Sequence, residues 1–155
     1  MARVDYSIDL TKPEHHTGRV TIAFPASAGS TLDVKMPAWR TGRYTILNLA
    51  NGVSQFAATD GAGNALRFEK IDKSTWRVWL PAPTAVRIRY ELYANELGNR
   101  SRHIDDSHAY LDASAVLMYT EATRAEPGCL WFDWSRSLDD PAEYVLVEAF
   151  RDDAA

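Results

Sequence analysis

Apolar side chains recur at every second position through most of the first hundred residues, and that period constrains the fold more than any other feature. In TAVRIRYELYA, residues 84–94, Val86, Ile88, Tyr90 and Leu92 fall on one face, while Arg87, Arg89, Glu91 and Tyr93 fall on the other. Successive side chains alternate across a pleated strand, so this pattern is a strand with one buried and one solvated face. The series Val4, Tyr6, Ile8, Leu10 repeats it, as do Val20, Ile22, Phe24, then Leu32, Val34, Met36, and finally Trp76, Val78, Leu80. Turn-forming runs separate these segments, among them FPASAGS at 24–30 and TDGAGNA at 59–65. The second lies between QFAAT and LRFEK and is read as the loop of a hairpin. Its Gly61-Ala62-Gly63 has no helix after it, which fits a turn and not a phosphate loop.

Two stretches depart from the strand pattern. RYTILNLANGV, residues 43–53, allows one or two helical turns that Gly52 would end, and SLDDPAEY, residues 137–144, allows a short turn near Pro141. The predicted architecture is all-β: an antiparallel β-sandwich of about ten short strands with one or two helical turns, forming a single domain over 1–155. The net charge of −4 and the scattered placement of 17 Lys and Arg residues give no nucleic-acid or anionic-membrane footprint. No apolar run reaches membrane-spanning length, and MARVDYSIDL has no signal-peptide core, so a cytoplasmic location is the expectation. The lone Cys129 can form neither an internal disulfide nor a thiolate zinc site and is expected to be a small buried hydrophobe.

The densest chemistry lies in RHIDDSHAYLDAS, residues 102–114, where His103, Asp105, Asp106, His108 and Asp112 are all metal-ligating types. His103 and His108 are five apart, which shares a face on neither a helix nor a strand, although a loop could gather them with Asp105 or Asp106. His15 and His16 are adjacent and would point apart on a strand. Neither HExxH nor GxSxG occurs. The pairs Asp105-Asp106, Asp139-Asp140 and Asp152-Asp153 diverge on extended backbone and do not share a proton. No catalytic residue and no metal ligand is therefore predicted, and residues 103–108 are read as a polar turn. Trp79, Tyr93 and Trp131 fall on nominally outward faces, which calls for covering chain, a docked partner or a ligand platform.

Four segments together resemble the glycyl aminopeptidase family of zinc metallopeptidases. MPAWRTGRYTILNLANGV (36–53) is similar to its strand, MPxWxPGxY turn and short helix; DKSTWRVWL (72–80) to its D-K-x-T-W-x-V segment; VRIRYELYANEL (86–97) to its Y-x-V-Y-A-N-E-L strand. HIDDSHAYLDASAVLMY (103–119) resembles the segment that follows these in the family, so the likeness spans about 3–127 in the family's order. Thr41, Arg43 and Asp112 depart from the family's usual residues, and 128–155 does not follow its pattern.

The resemblance covers only the family's N-terminal β-domain. It implies a non-catalytic domain that scaffolds a metallopeptidase catalytic domain in cis and shapes its substrate cleft. The zinc would belong to that domain, with no cofactor in this chain. Because their segments interrupt the strand pattern and are dense in polar and aromatic groups, Trp39, Arg43, Tyr44, His103, Asp105 and His108 are expected to face the catalytic domain. The related N-terminal β-domain of the alanyl aminopeptidases further suggests that Asp112 and Ser114 lie near the α-amino group of a peptide substrate. Two other readings stay open: a free-standing β-sandwich that binds a peptide or carbohydrate, and a small metal-dependent enzyme built on His103, Asp105 and His108.

Overall fold

The structure, a computed structural model, describes residues 4–39, 46–97, 102–121, 129–136 and 144–150, the last two as backbone. Strands dominate, all paired antiparallel, as the alternation predicts. One sheet has four strands: β1 (Asp5–Lys12), β2 (Thr17–Ser27), β4 (Val53–Asp60) and β7 (Thr84–Tyr93), in the order β1-β2-β7-β4. A second has three: β3 (Thr31–Lys35), β5 (Phe68–Lys70) and β6 (Thr75–Trp79), in the order β3-β6-β5. Their apolar faces meet in one core. Val20, Ile22 and Phe24 of β2 and Val86, Ile88, Tyr90 and Leu92 of β7 pack into the same cluster as Val34 of β3 and Trp76 and Val78 of β6. Along β7 burial alternates as the sequence demands, with Arg87, Arg89 and Tyr93 exposed between buried neighbours.

The 59–65 turn is tight and closes the expected hairpin loop, but only over a short span. Asp60 accepts from the Ala62 and Asn64 amides at 2.9 and 2.8 Å, Gly63 adopts φ +90°, and Thr59 bridges Ala65. Beyond that bridge β5 pairs with β6, while β4 pairs with β7. Leu66 is buried in the shared core, and this is where the chain leaves one sheet for the other. The segment is a link between layers with a hairpin-like tip.

A short third layer closes one end. β8 (Arg102–Ile104) and β9 (Ala109–Leu111) form a two-stranded hairpin, attached to the chain after β7 by an Asn95–His103 bridge and an Ile104 N–H to Ala94 carbonyl bond of 2.8 Å. The helical turn α1 (Ala113–Val116) follows directly and buries Ala115 and Val116. Sequence periodicity does not reveal α1, because four residues are too few to carry a period. The turn expected before Gly52 is present as a 3-10 turn, Leu49–Gly52, and another 3-10 turn, Pro13–His15, joins β1 to β2. Strands β10 (Cys129–Arg136) and β11 (Tyr144–Phe150) pair antiparallel. Arg43, Tyr44 and the expected turn at Pro141 lie outside the described residues, as do the side chains of Cys129 and Trp131. Among the described residues no helix is long and apolar enough to cross a membrane.

Candidate functional site

The β8–β9 hairpin turns on Asp105. Its Oδ1 accepts from the Ser107 and His108 amides, each at 2.8 Å, and from the Ser107 hydroxyl at 2.7 Å, while its own amide donates to the His108 carbonyl at 3.0 Å. A carboxylate that satisfies successive amides ahead of it is the local interaction that makes an Asp-x-Ser turn close. Register then does the rest. His103 pairs with Tyr110 and Ile104 with Ala109, so residues 103 and 105 on one arm and 108 and 110 on the other share a face.

Three donor groups therefore converge that a single-strand reading separates. His103 Nε2 lies 2.9 Å from Asp105 Oδ2, and His108 Nδ1 lies 3.2 Å from Asp105 Oδ1. Donor atoms of His103, Asp105 and His108 all fall within 4.8 Å of one another. The loop gathers the two histidines with Asp105, the possibility that their spacing leaves open, and leaves Asp106 exposed. The His103 hydrogen bond, foremost, and then those from Ser107 and the two amides hold the Asp105 carboxyl well below the usual carboxylate range. His103 is only 6% exposed, and its Nδ1 has no hydrogen-bond partner among the described residues. The His108 side chain is about half exposed, at 47%.

A third imidazole extends the row. His16 ends the Pro13–His15 turn in the left-handed region at φ 54°, and its Nδ1 donates to the Ile104 carbonyl at 2.6 Å. Its ring centroid lies 5.8 Å from that of His103, which in turn lies 5.2 Å from that of His108. Tyr93, 53% exposed, meets His16 edge-on at 6.3 Å. His15, by contrast, is exposed and pairs with Glu14. Sequence reasoning does not single out His16, since what recruits it is the meeting of the β1–β2 turn with the β8–β9 hairpin.

Beside this row lies a cleft lined by Leu47, Asn51, Gly52, Tyr93, Glu96 and Arg102. Arg102 forms its floor. The guanidinium is buried and donates to the Leu49 and Ala115 carbonyls, both at 2.8 Å, tying the 3-10 turn to α1. Asp112 and Ser114 follow β9 directly, at the start of α1. Asp112 Oδ1 accepts from the Ser114 amide at 2.9 Å and from its hydroxyl at 2.5 Å, which makes Asp112 the N-cap of α1. Trp39 is 54% exposed. Trp79 is not a bare platform, because the Arg67 guanidinium lies over its ring at 4.3 Å.

The sequence model of the Peptidase M61 N-terminal domain matches residues 5–139. Among solved structures, the crystal structure of an aminopeptidase N family protein from Idiomarina loihiensis aligns with a TM-score of 0.76 at 18% identity, over 98% of this chain and 28% of that one. The chain spans less than a third of that structure's length, and at such identity the likeness is one of fold. No curated protein matches the chain significantly.

Proposed function

The chain belongs to the Peptidase M61 N-terminal domain family, and from that premise we propose that it is a non-catalytic β-domain that supports a zinc-peptidase catalytic domain in cis and bounds one wall of its peptide cleft. The zinc and its chemistry would reside in that partner domain, since no HExxH occurs here. One observation carries the reading. Tyr93 lines the cleft and also contacts His16, the first member of the histidine row. An exposed aromatic ring beside ordered polar groups suits an interdomain contact, whose surface is more polar than that of an obligate interface. Arg102, buried beneath it, holds the supporting turns rigid.

The experiment compares the 155-residue chain with the same reading frame extended as far as it runs. Neither glycyl nor alanyl reporter peptides are expected to be turned over by the chain alone. Turnover by the extended protein should fall when Tyr93→Ala is introduced, while the fold, followed by circular dichroism, stays intact. Activity of the chain alone that survives rigorous purification would overturn the proposal, as would a reading frame that encodes no zinc-binding domain.

A further inference from the structure

We infer that His103, Asp105 and His108 form a binding site for a borderline divalent transition metal of the zinc type, built into the β8–β9 hairpin. An Asx turn alone accounts for Asp105 Oδ1, which takes the Ser107 and His108 amides and the Ser107 hydroxyl. It does not account for Oδ2, which is aimed at His103 Nε2 at 2.9 Å, nor for a second imidazole folded back onto the turn, its Nδ1 2.9 Å from the Ser107 hydroxyl and 3.2 Å from Asp105 Oδ1. Those atoms exceed what closing the turn requires.

Their spacing is that of a coordination shell. Ligand atoms about 2.0–2.2 Å from a tetrahedral zinc lie about 3.3–3.6 Å from one another. The 2.9 Å separation between Asp105 Oδ2 and His103 Nε2 needs to open by only a few tenths of an ångström, and one donor atom from each of the three residues already lies within 4.8 Å of the others. The donor set chooses the metal class. Two imidazoles and one carboxylate suit zinc and its neighbours in the first transition row, whereas magnesium and calcium take oxygen shells.

The surroundings fix these ligands beforehand. Three hydrogen bonds to Oδ1 orient the carboxylate, which is the role of outer-sphere partners at metal sites. His103 is held by the buried strand β8, with Nε2 on the edge facing Asp105. The half-exposed His108 gives the ion a path from solvent. Three protein ligands leave a position for water or for a donor from a docked domain.

The test is calorimetric titration of Zn²⁺ alone into the untagged, metal-stripped chain, repeated with Co²⁺, whose visible absorption reports ligand type. One equivalent of Zn²⁺ should bind, with a Co²⁺ spectrum of nitrogen and oxygen ligation. His108→Ala, at an exposed position, should fold and weaken binding at least about 10-fold. Asp105→Asn keeps an oxygen for the turn while removing the charge, and it should weaken binding as well. His15→Ala should leave affinity unchanged. Absence of saturable binding, an unaltered affinity in both His108→Ala and Asp105→Asn, or a loss of affinity in His15→Ala would each overturn the assignment.

Discussion

The Tyr90 hydroxyl donates a 2.6 Å hydrogen bond to the Val116 carbonyl and accepts a 3.2 Å bond from the Met118 amide. Tyr90 sits on the central strand β7, and Val116 and Met118 bracket the end of α1, so one buried phenol fixes the helical turn to the sheet. Burial pushes that phenol far above the ordinary tyrosine range, and it remains a neutral donor wherever the protein folds. Tyr90→Phe keeps the ring and removes both bonds, leaving a buried carbonyl and a buried amide without this partner. The expected loss is about 1–3 kcal/mol in urea denaturation with an unchanged m-value. A loss below about 0.5 kcal/mol would mean that those backbone groups find other partners.

Gly52 and Arg102 are coupled by contact. A Cβ at Gly52 would meet Arg102 Nη2 and would stand 3.0 Å from the Tyr93 carbonyl oxygen. The guanidinium cannot yield freely, because it is bonded to both Leu49 and Ala115. Gly52→Ala should therefore destabilise the fold by about 1–3 kcal/mol. Arg102→Lys loses the fork that serves two carbonyls at once and should also destabilise. The two changes combined should cost less than their separate effects added, a coupling that a double-mutant cycle measures directly.

Legibility in the sequence followed period and failed at long range. Val86, Ile88, Tyr90 and Leu92 announced β7 because one strand's alternation is a local property. Gly52 likewise marked the end of its turn. His103 and His108 share a face of neither one helix nor one strand by spacing, whereas the four-residue turn held by Asp105 makes them neighbours across two strands. Arg102 reads as surface by its type, and only the meeting of Leu49 and Ala115 around it creates a buried niche. His16 joins the row through a contact with Ile104, 88 positions away, which no local pattern encodes.

The Asp33–Arg77 pair supplies a pH dependence with a definite sign. Arg77 donates to both carboxylate oxygens at 2.7 Å across paired strands β3 and β6. That hydrogen bonding, ahead of the opposing effect of burial, lowers the Asp33 carboxyl below its ordinary value of 3.8. A depressed folded-state value gives stability that is present above the unfolded value and lost as pH falls through the folded one. Asp33→Asn should thus be less stable than the parent at neutral pH. The difference in melting temperature should shrink once pH drops below about 4. A difference that stays constant from pH 7 to pH 2 would show that the pair does not carry it.

Asp112 separates a structural role from a substrate-facing one. As the N-cap of α1 it holds the Ser114 amide, and α1 in turn carries the Ala115 carbonyl that receives Arg102. Asp112→Ala should cost about 1 kcal/mol through the lost cap, whereas Asp112→Asn retains a capping oxygen and should cost little. If the carboxylate also meets the α-amino group of a bound peptide, its charge matters beyond the cap. In the extended reading frame, Asp112→Asn would then raise KM for aminopeptide reporters while leaving the melting temperature of the chain unchanged. If KM is unaffected in Asp112→Asn and stability falls only in Asp112→Ala, the residue is a cap alone. The two readouts move independently, because capping needs only an oxygen at that position while ammonium recognition needs its negative charge.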